Sequence, residues 1–201
     1  MTNAELLECA DYDEPTKKQS IRSILTMSRQ MRHLVEGMLE LARADNSSAH
    51  THFERIDFSI LLEEAILPFE ALFFEKELTF TAKIAPGIGV YGSKEYLKKI
   101  VEILLDNAQK YSESPGQVTL QLEAKGKHAT LKLETPGVPL SKEDQKRIFE
   151  RFYRVDKART RTGSYGLGLS IAQQVVHSHN GKIWAEATDD SNIFCIQLPT
   201  V

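Results

Sequence analysis

Lys146–Val176 reads KRIFERFYRVDKARTRTGSYGLGLSIAQQVV, and the rest of the chain is organised around it. The stretch opens amphipathic, turns basic, passes through Gly163-Ser164-Tyr165-Gly166-Leu167-Gly168 and closes on an apolar run with helical spacing. From Arg147 to Arg161, six Arg or Lys residues stand against two acids, in a chain whose formal net charge is −3. Such a local excess suits a small polyanion, most simply a nucleoside triphosphate. The glycines let the backbone turn and approach a ligand, and a helix opening at Leu167 or Gly168 would aim free N–H groups at phosphate. On the glycines alone, a phosphate-binding loop and an ordinary Gly-rich turn before a helix stand as alternatives.

The 201 residues suffice for one good core and a smaller element, and a hydrophobic share of 41% with 26% charged residues is that of a soluble globular protein. The acidic balance argues against a general nucleic-acid binder. No apolar run has the length of a membrane span, and Met1-Thr2-Asn3-Ala4 is not a signal peptide. Cys9 and Cys195 have no metal-ligand spacing and are too few for a disulfide framework, so they read as unpaired thiols.

Met1–Ala10 reads as the end of a helix, and Asp11–Pro15 as a turn that starts the next one. From Thr16 to Asp45 apolar residues recur at spacings of three and four, including Ile21, Leu25, Leu34, Val35, Met38 and Leu41. That stripe predicts a long amphipathic helix in a hairpin or bundle, with homodimerisation as one way to cover it and burial against a second domain as the other. Residues 1–45 form this helical part, 46–52 a small polar linker, and 53–201 a second domain.

In that domain the patterning predicts a strand at Phe53–Phe58, a helix from Ser59 to Glu75 capped by Ser59, and a strand at Leu78–Ile84. A turn with a short strand follows at Pro86–Gly92, then a strongly periodic helix at Lys94–Tyr111. Strands at Gln117–Ala124 and His128–Glu134 make a hairpin, and a helix at Ser141–Phe149 leads into the basic stretch. A helix at Gly166–Ser178 and a hairpin of Lys182–Ala187 with Asn192–Leu198 close the chain. The fold class this predicts is α+β, a two-layer α/β sandwich with a mixed sheet.

Three motifs make the chain resemble a known family. Leu105-Asp106-Asn107-Ala108-Gln109-Lys110-Tyr111-Ser112, Ile148-Phe149-Glu150-Arg151-Phe152-Tyr153-Arg154 and Gly166-Leu167-Gly168-Leu169-Ser170-Ile171 resemble, in order and separation, the N, F and second G boxes of sensor histidine kinases. Leu39-Glu40-Leu41-Ala42-Arg43 is similar to part of that family's dimerisation hairpin. The resemblance covers nearly the whole chain. It implies an ATP-binding domain of the type shared with gyrase, mismatch-repair and heat-shock-chaperone ATPases, preceded by the remnant of an α-helical dimerisation hairpin. Carried over by position, Asn107 would ligate Mg²⁺. Lys110, Tyr111 and Arg154 would face the phosphates, Gly166, Leu167 and Gly168 would admit them to a helix start, and Phe149 and Phe152 would anchor a lid.

The chain also departs from the family. None of the histidines at 33, 50, 52, 128, 177 and 179 is followed by an acid, as the family's phospho-acceptor is, so this chain is expected not to autophosphorylate. In the first G box, Thr135 stands where the family has the Asp that reads adenine, with Gly137 kept and Pro139 at the last Gly. The lost charge-assisted bond is worth roughly 1.5–3 kcal/mol. Ile103 replaces a second Asn that many relatives carry near the metal.

The resemblance thus implies the cytoplasmic catalytic core of a bacterial two-component kinase. It would bind ATP and Mg²⁺, form a homodimer, pass phosphate to a histidine outside this sequence and on to a response-regulator receiver domain, within a membrane-anchored protein. A degenerate, non-catalytic dimerising module with weak or no nucleotide binding is the alternative. An ATPase of the chaperone or topoisomerase group is disfavoured by the helical part ahead of the domain.

Overall fold

The computed structural model describes residues 15–26, 28, 35, 52–155 and 165–201, in two compact units divided between Glu40 and Leu41. In the first unit residues 15–26 are helical. Ile21 and Leu25, on the predicted stripe, are 46% and 50% exposed. The stretch Met1–Ala10, the linker at 46–51, most of the stripe beyond Thr26, and residues 156–164 lie outside the described residues.

The second unit runs β1 (Glu54–Asp57), α1 (Phe58–Glu75), β2 (Leu78–Ile84), β3 (Gly89–Gly92), α2 (Lys94–Tyr111), β4 (Gly116–Lys125) and β5 (His128–Pro136). It continues with α3 (Lys142–Arg147), α4 (Gly168–Ser178), β6 (Lys182–Ala187) and β7 (Ser191–Pro199). The main sheet has the order β2-β4-β5-β7-β6, with β2 parallel to β4 and the other pairs antiparallel. A separate pair, β1 with β3, is stitched to the end of the chain where Val201 N–H reaches Gly89 O at 3.0 Å. The predicted mixed sheet and two-layer α+β sandwich are what the chain adopts.

Strand alternation sets the layers. Val118, Leu120 and Leu122 of β4, Leu131 and Leu133 of β5, and Ile196 and Leu198 of β7 are buried, facing α1, α2 and α4. Gln121, Thr130, Lys132 and Glu134 alternate with them on the other, partly solvated face. The strongest single element is α2. Its Leu97, Ile100, Val101, Leu104, Leu105 and Ala108 fall on one helical face and are almost wholly buried. Truncating Leu104 to alanine would cost roughly 2–5 kcal/mol.

One predicted cap is wrong. Asp57, not Ser59, caps α1, its Oδ1 accepting Ile60 N–H at 3.1 Å. Ser59 lies inside the helix and bolts it to the loop after β2: its hydroxyl donates to Ala85 O (2.8 Å) and accepts Ile88 N–H (3.1 Å). Two capping-type side chains stand two residues apart, and the burial of Phe58 between them starts the helix early.

Helices α2 and α4 form an antiparallel pair joined at one end by His179. Its Nε2 accepts Ser93 N–H (3.0 Å) and its Nδ1–H donates to Val175 O (2.7 Å). Ser93 is the N-cap of α2 and His179 the C-cap of α4. Phe53 stacks on the imidazole, with centroids 4.7 Å apart and planes at 18°. A β-carbon on Gly92 would stand 2.3 Å from the ring, which explains glycine there. Burial holds the imidazole below its usual pKa despite the opposing Val175 bond, so the ring is neutral with its proton on Nδ1.

Candidate functional site

The C-terminal half of α2 carries the first group of predicted site residues. Ile103, Asn107 and Lys110 follow at i, i+4 and i+7, one line along the helix. Asn107 is half-buried and Tyr111, the last helical residue, is exposed. Lys110 does not stand open: its ammonium rests 2.6 Å from Asp106 Oδ2. Motif reading singled out Asn107 and passed over Asp106, although an acid four residues before a lysine is a readable helical pair.

The predicted glycine turn comes to this helix from above. Gly166 has φ +71°, and a β-carbon there would stand 2.5 Å from Tyr153 O. Its carbonyl accepts Phe152 N–H at 3.0 Å, which clips together the two ends of the basic segment between them. Leu167 is buried in the N-cap position and offers no side-chain cap, and the first turn of α4 has no acid. The helix begins at Gly168, with Leu167 in the N-cap position, as the phosphate-loop reading of the glycines expects and two residues after the Gly166 start of the coarser element reading. A β-carbon on Gly168 would lie 3.3 Å from Ile103 Cγ2, so an uncapped helix start rests one turn from Asn107.

The segment before the glycines is braced by α3. Ser141 caps it, and Asp144 accepts from Ser141 Oγ (2.5 Å) and from Tyr153 OH (2.6 Å). These bonds, Ser141's first, hold the Asp144 carboxyl below the usual carboxylate range, and the same carboxylate pushes the Tyr153 phenol up. The Arg147 guanidinium lies 4.4 Å over the Tyr153 ring. Phe149 is core, whereas Phe152 exposes its ring and anchors the turn through its backbone, at φ +64°. Arg154 follows, half-buried. Most of the predicted lid lies outside the described residues.

The third group sits at the end of β5. Thr135 is buried on the helix-facing side, and its hydroxyl donates to Asn192 O at 3.2 Å. The pairing of β5 with β7 runs unbroken through Glu134↔Ile193 and Thr135↔Asn192, so no bulge carries Glu134 inward. Glu134 instead accepts from Ser191 Oγ at 2.8 Å on the other face. Gly137 has φ +150°, donates its N–H to Asp190 O (3.0 Å) and packs beside Tyr111 O. Glu113 N–H bonds Pro136 O at 3.0 Å, so the first G box and the end of α2 meet.

The structure therefore brings Gly168 to α2, Gly137 to Tyr111, and Gly166 to the residues just before Arg154. The matching family description is "Histidine kinase-, DNA gyrase B-, and HSP90-like ATPase", over residues 92–201, more than half of the chain. The chain belongs to this ATPase family. Within it the relatives are sensor kinases. The chain is 32% identical over 176 residues to sensor protein DltS of Streptococcus agalactiae serotype III, covering 88% of this chain and 45% of that protein. Among solved structures, histidine kinase AdeS of Acinetobacter baumannii matches with TM-score 0.71 and 23% identity, covering 94% of this chain and 86% of that one. Histidine kinase ThkA in complex with response regulator protein TrrA matches with TM-score 0.76 and 20% identity, over 98% of this chain and 55% of that one. The domain is a sensor histidine kinase catalytic domain, and the chain spans about half the length of the curated relatives it matches.

Among the described residues, no cluster of three His, Cys, Asp or Glu side chains is placed to hold a metal. Magnesium keeps waters and shares phosphate oxygens. No described helix is long and apolar enough to cross a membrane.

Proposed function

We propose that this domain binds ATP with Mg²⁺ between α2, the Gly166–Gly168 turn and the end of β5. The observation that carries the reading is the uncapped start of α4 at Gly168, resting on α2 one turn from Asn107. First-turn amides and the helix dipole favour phosphate there. Lys110 and Arg154 supply positive charge, and Asn107 Oδ1 one place on the cation, which neutralises phosphate charge when bound. Lys110 must exchange Asp106 for phosphate to do so. The Thr135 hydroxyl donates its hydrogen bond to Asn192 O, so it presents only lone pairs to a ligand. A purine 6-amino group suits it and a 6-oxo group does not.

In the whole protein, the γ-phosphate passes to a histidine outside this sequence and then to a response-regulator aspartate. The chain's contribution is positioning and charge neutralisation. Exposed Ile21 and Leu25 support homodimerisation through the helical unit, and a membrane-anchored protein with a cytoplasmic catalytic part belongs to the same reading. This chain alone does not autophosphorylate on this reading.

The competing reading, a dimerising module without nucleotide, draws on Thr135, on Pro139 and on the apolar contact of Ile103 beneath Gly168. Calorimetric titration with ADP and a non-hydrolysable ATP analogue, with and without Mg²⁺, decides. Magnesium-dependent micromolar binding that Asn107→Ala abolishes supports the ATP site. No binding at millimolar nucleotide by folded protein would falsify it and leave the scaffold.

A further inference from the structure

Asn192 has no role in the phosphate site, yet its side-chain amide and its carbonyl are committed around the first G box. Its Oδ1 accepts Leu140 N–H at 2.8 Å and its Nδ2 donates to Val138 O at 3.0 Å. Its own carbonyl takes the Thr135 hydroxyl at 3.2 Å. One residue thus holds both the strand position facing the base and the loop that follows. Two further ties close the bracket: Gly137 N–H to Asp190 O (3.0 Å) and Gln145 Nε2 to Leu140 O (2.9 Å). Pro139, in the middle, has a fixed φ and no N–H to satisfy. Only a side chain with a donor and an acceptor on one short planar group spans Val138 O and Leu140 N in this way, which asparagine provides.

We propose that Asn192 is a positioning residue for nucleoside recognition, holding Gly137–Leu140 in its binding shape before the base arrives. This rests on the nucleotide reading above and explains how that reading survives Thr135 and Pro139. A loop already ordered loses little freedom on binding, which offsets the bond forfeited where Thr135 replaces a carboxylate. Pro139 belongs to the same device, stiffening the backbone between the two atoms that Asn192 grips.

The test titrates the full chain, with Mg²⁺ present, against a non-hydrolysable ATP analogue and against inorganic tripolyphosphate, which has no nucleoside. Asn192→Ala is expected to weaken the analogue about tenfold, with tripolyphosphate changed by less than a factor of about two. Asn192→Asp, which keeps the acceptor for Leu140 N–H and loses the donor to Val138 O, is expected to fall between. Pro139→Gly loosens the loop without touching the amide and is expected to give the same nucleoside-selective loss. Together with Asn192→Asp it carries the test if Asn192→Ala fails to fold. Equal losses for both ligands, or unchanged analogue binding in these variants, overturn the proposal while leaving the nucleotide site standing. Wild-type protein that binds neither ligand overturns the nucleotide reading and this inference with it.

Discussion

Ile103 Cγ2 lies 3.3 Å from the point where a β-carbon on Gly168 would stand, so the glycine helix rests directly on the helix that carries Asn107. The two glycines of the turn therefore answer to different constraints. At Gly168 the φ is ordinary and a methyl group is tight but accommodable. At Gly166 both the positive φ and the Tyr153 carbonyl, 2.5 Å away, exclude one.

Gly168→Ala is expected to leave thermal stability within about 1 kcal/mol, because alanine gains helix propensity there. Its methyl group instead reduces nucleotide affinity at the helix start. Gly166→Ala is expected to destabilise by at least roughly 1–2 kcal/mol from the left-handed φ alone. Thermal melts paired with nucleotide titrations separate the two; equal melting losses would contradict the assigned helix start.

Asp106 holds Lys110 in a partly exposed i,i+4 pair. Such pairs contribute about 0.2–0.5 kcal/mol, so Asp106→Asn should barely move the melting temperature. It frees an ammonium and removes a negative charge beside the proposed phosphate site, so nucleotide affinity is expected to rise severalfold at low salt. The gain should shrink at high salt. Calorimetry at two ionic strengths reads both effects, and weaker binding in the variant would show that Asp106 assists the ligand rather than competing for Lys110.

Two of the described groups with lowered pKa bear on the acid side of the stability profile, the buried His179 more than the partly exposed Asp144. His179 has a folded pKa below its ordinary 6.5, so the unfolded chain takes up its proton first. Its contribution is present in full above pH 6.5 and is lost as pH falls through the folded value. Asp144 is also depressed, and its contribution is present above 3.8 and lost as pH falls below that. Denaturant titrations across pH should show the first decline below pH 6.5, and His179→Gln should flatten it while lowering stability throughout.

Cys195 is wholly buried in β7, and burial pushes its thiol up to about 11. Alkylation of the native protein at neutral pH should therefore spare Cys195 and reach it only on unfolding. Mass-spectrometric mapping of the labelled cysteine checks this, and rapid native labelling would mean that the sheet opens locally around β7.

Legibility followed the range of the interactions. The bounds of α2 agree with the sequence reading at both ends because its apolar period is strict. For α4 the sequence leaves the start open between Gly166 and Gly168, and the structure takes the later one. Gly166 and Gly168 look alike locally, and what separates them is the backbone of Phe152 and Tyr153, brought back by the fold. Asp57 and Ser59 compete as caps for a similar reason: Ser59 is claimed by Ala85 and Ile88, far along the chain. Asn192 carries no local signal, since its partners Val138 and Leu140 lie in a different strand connection.

The stack of Phe53 on His179 ties the first strand's approach to two helices through one ring. The chain enters the domain at Phe53, and the ring beneath it is wired through Nε2 to the first residue before α2 and through Nδ1 to the last turn of α4. A displacement of the Phe53 ring therefore bears on two helix ends at once, the cap before α2 and the last turn of α4, while its edge contact with Tyr91 and the β1–β3 ladder hold it in place.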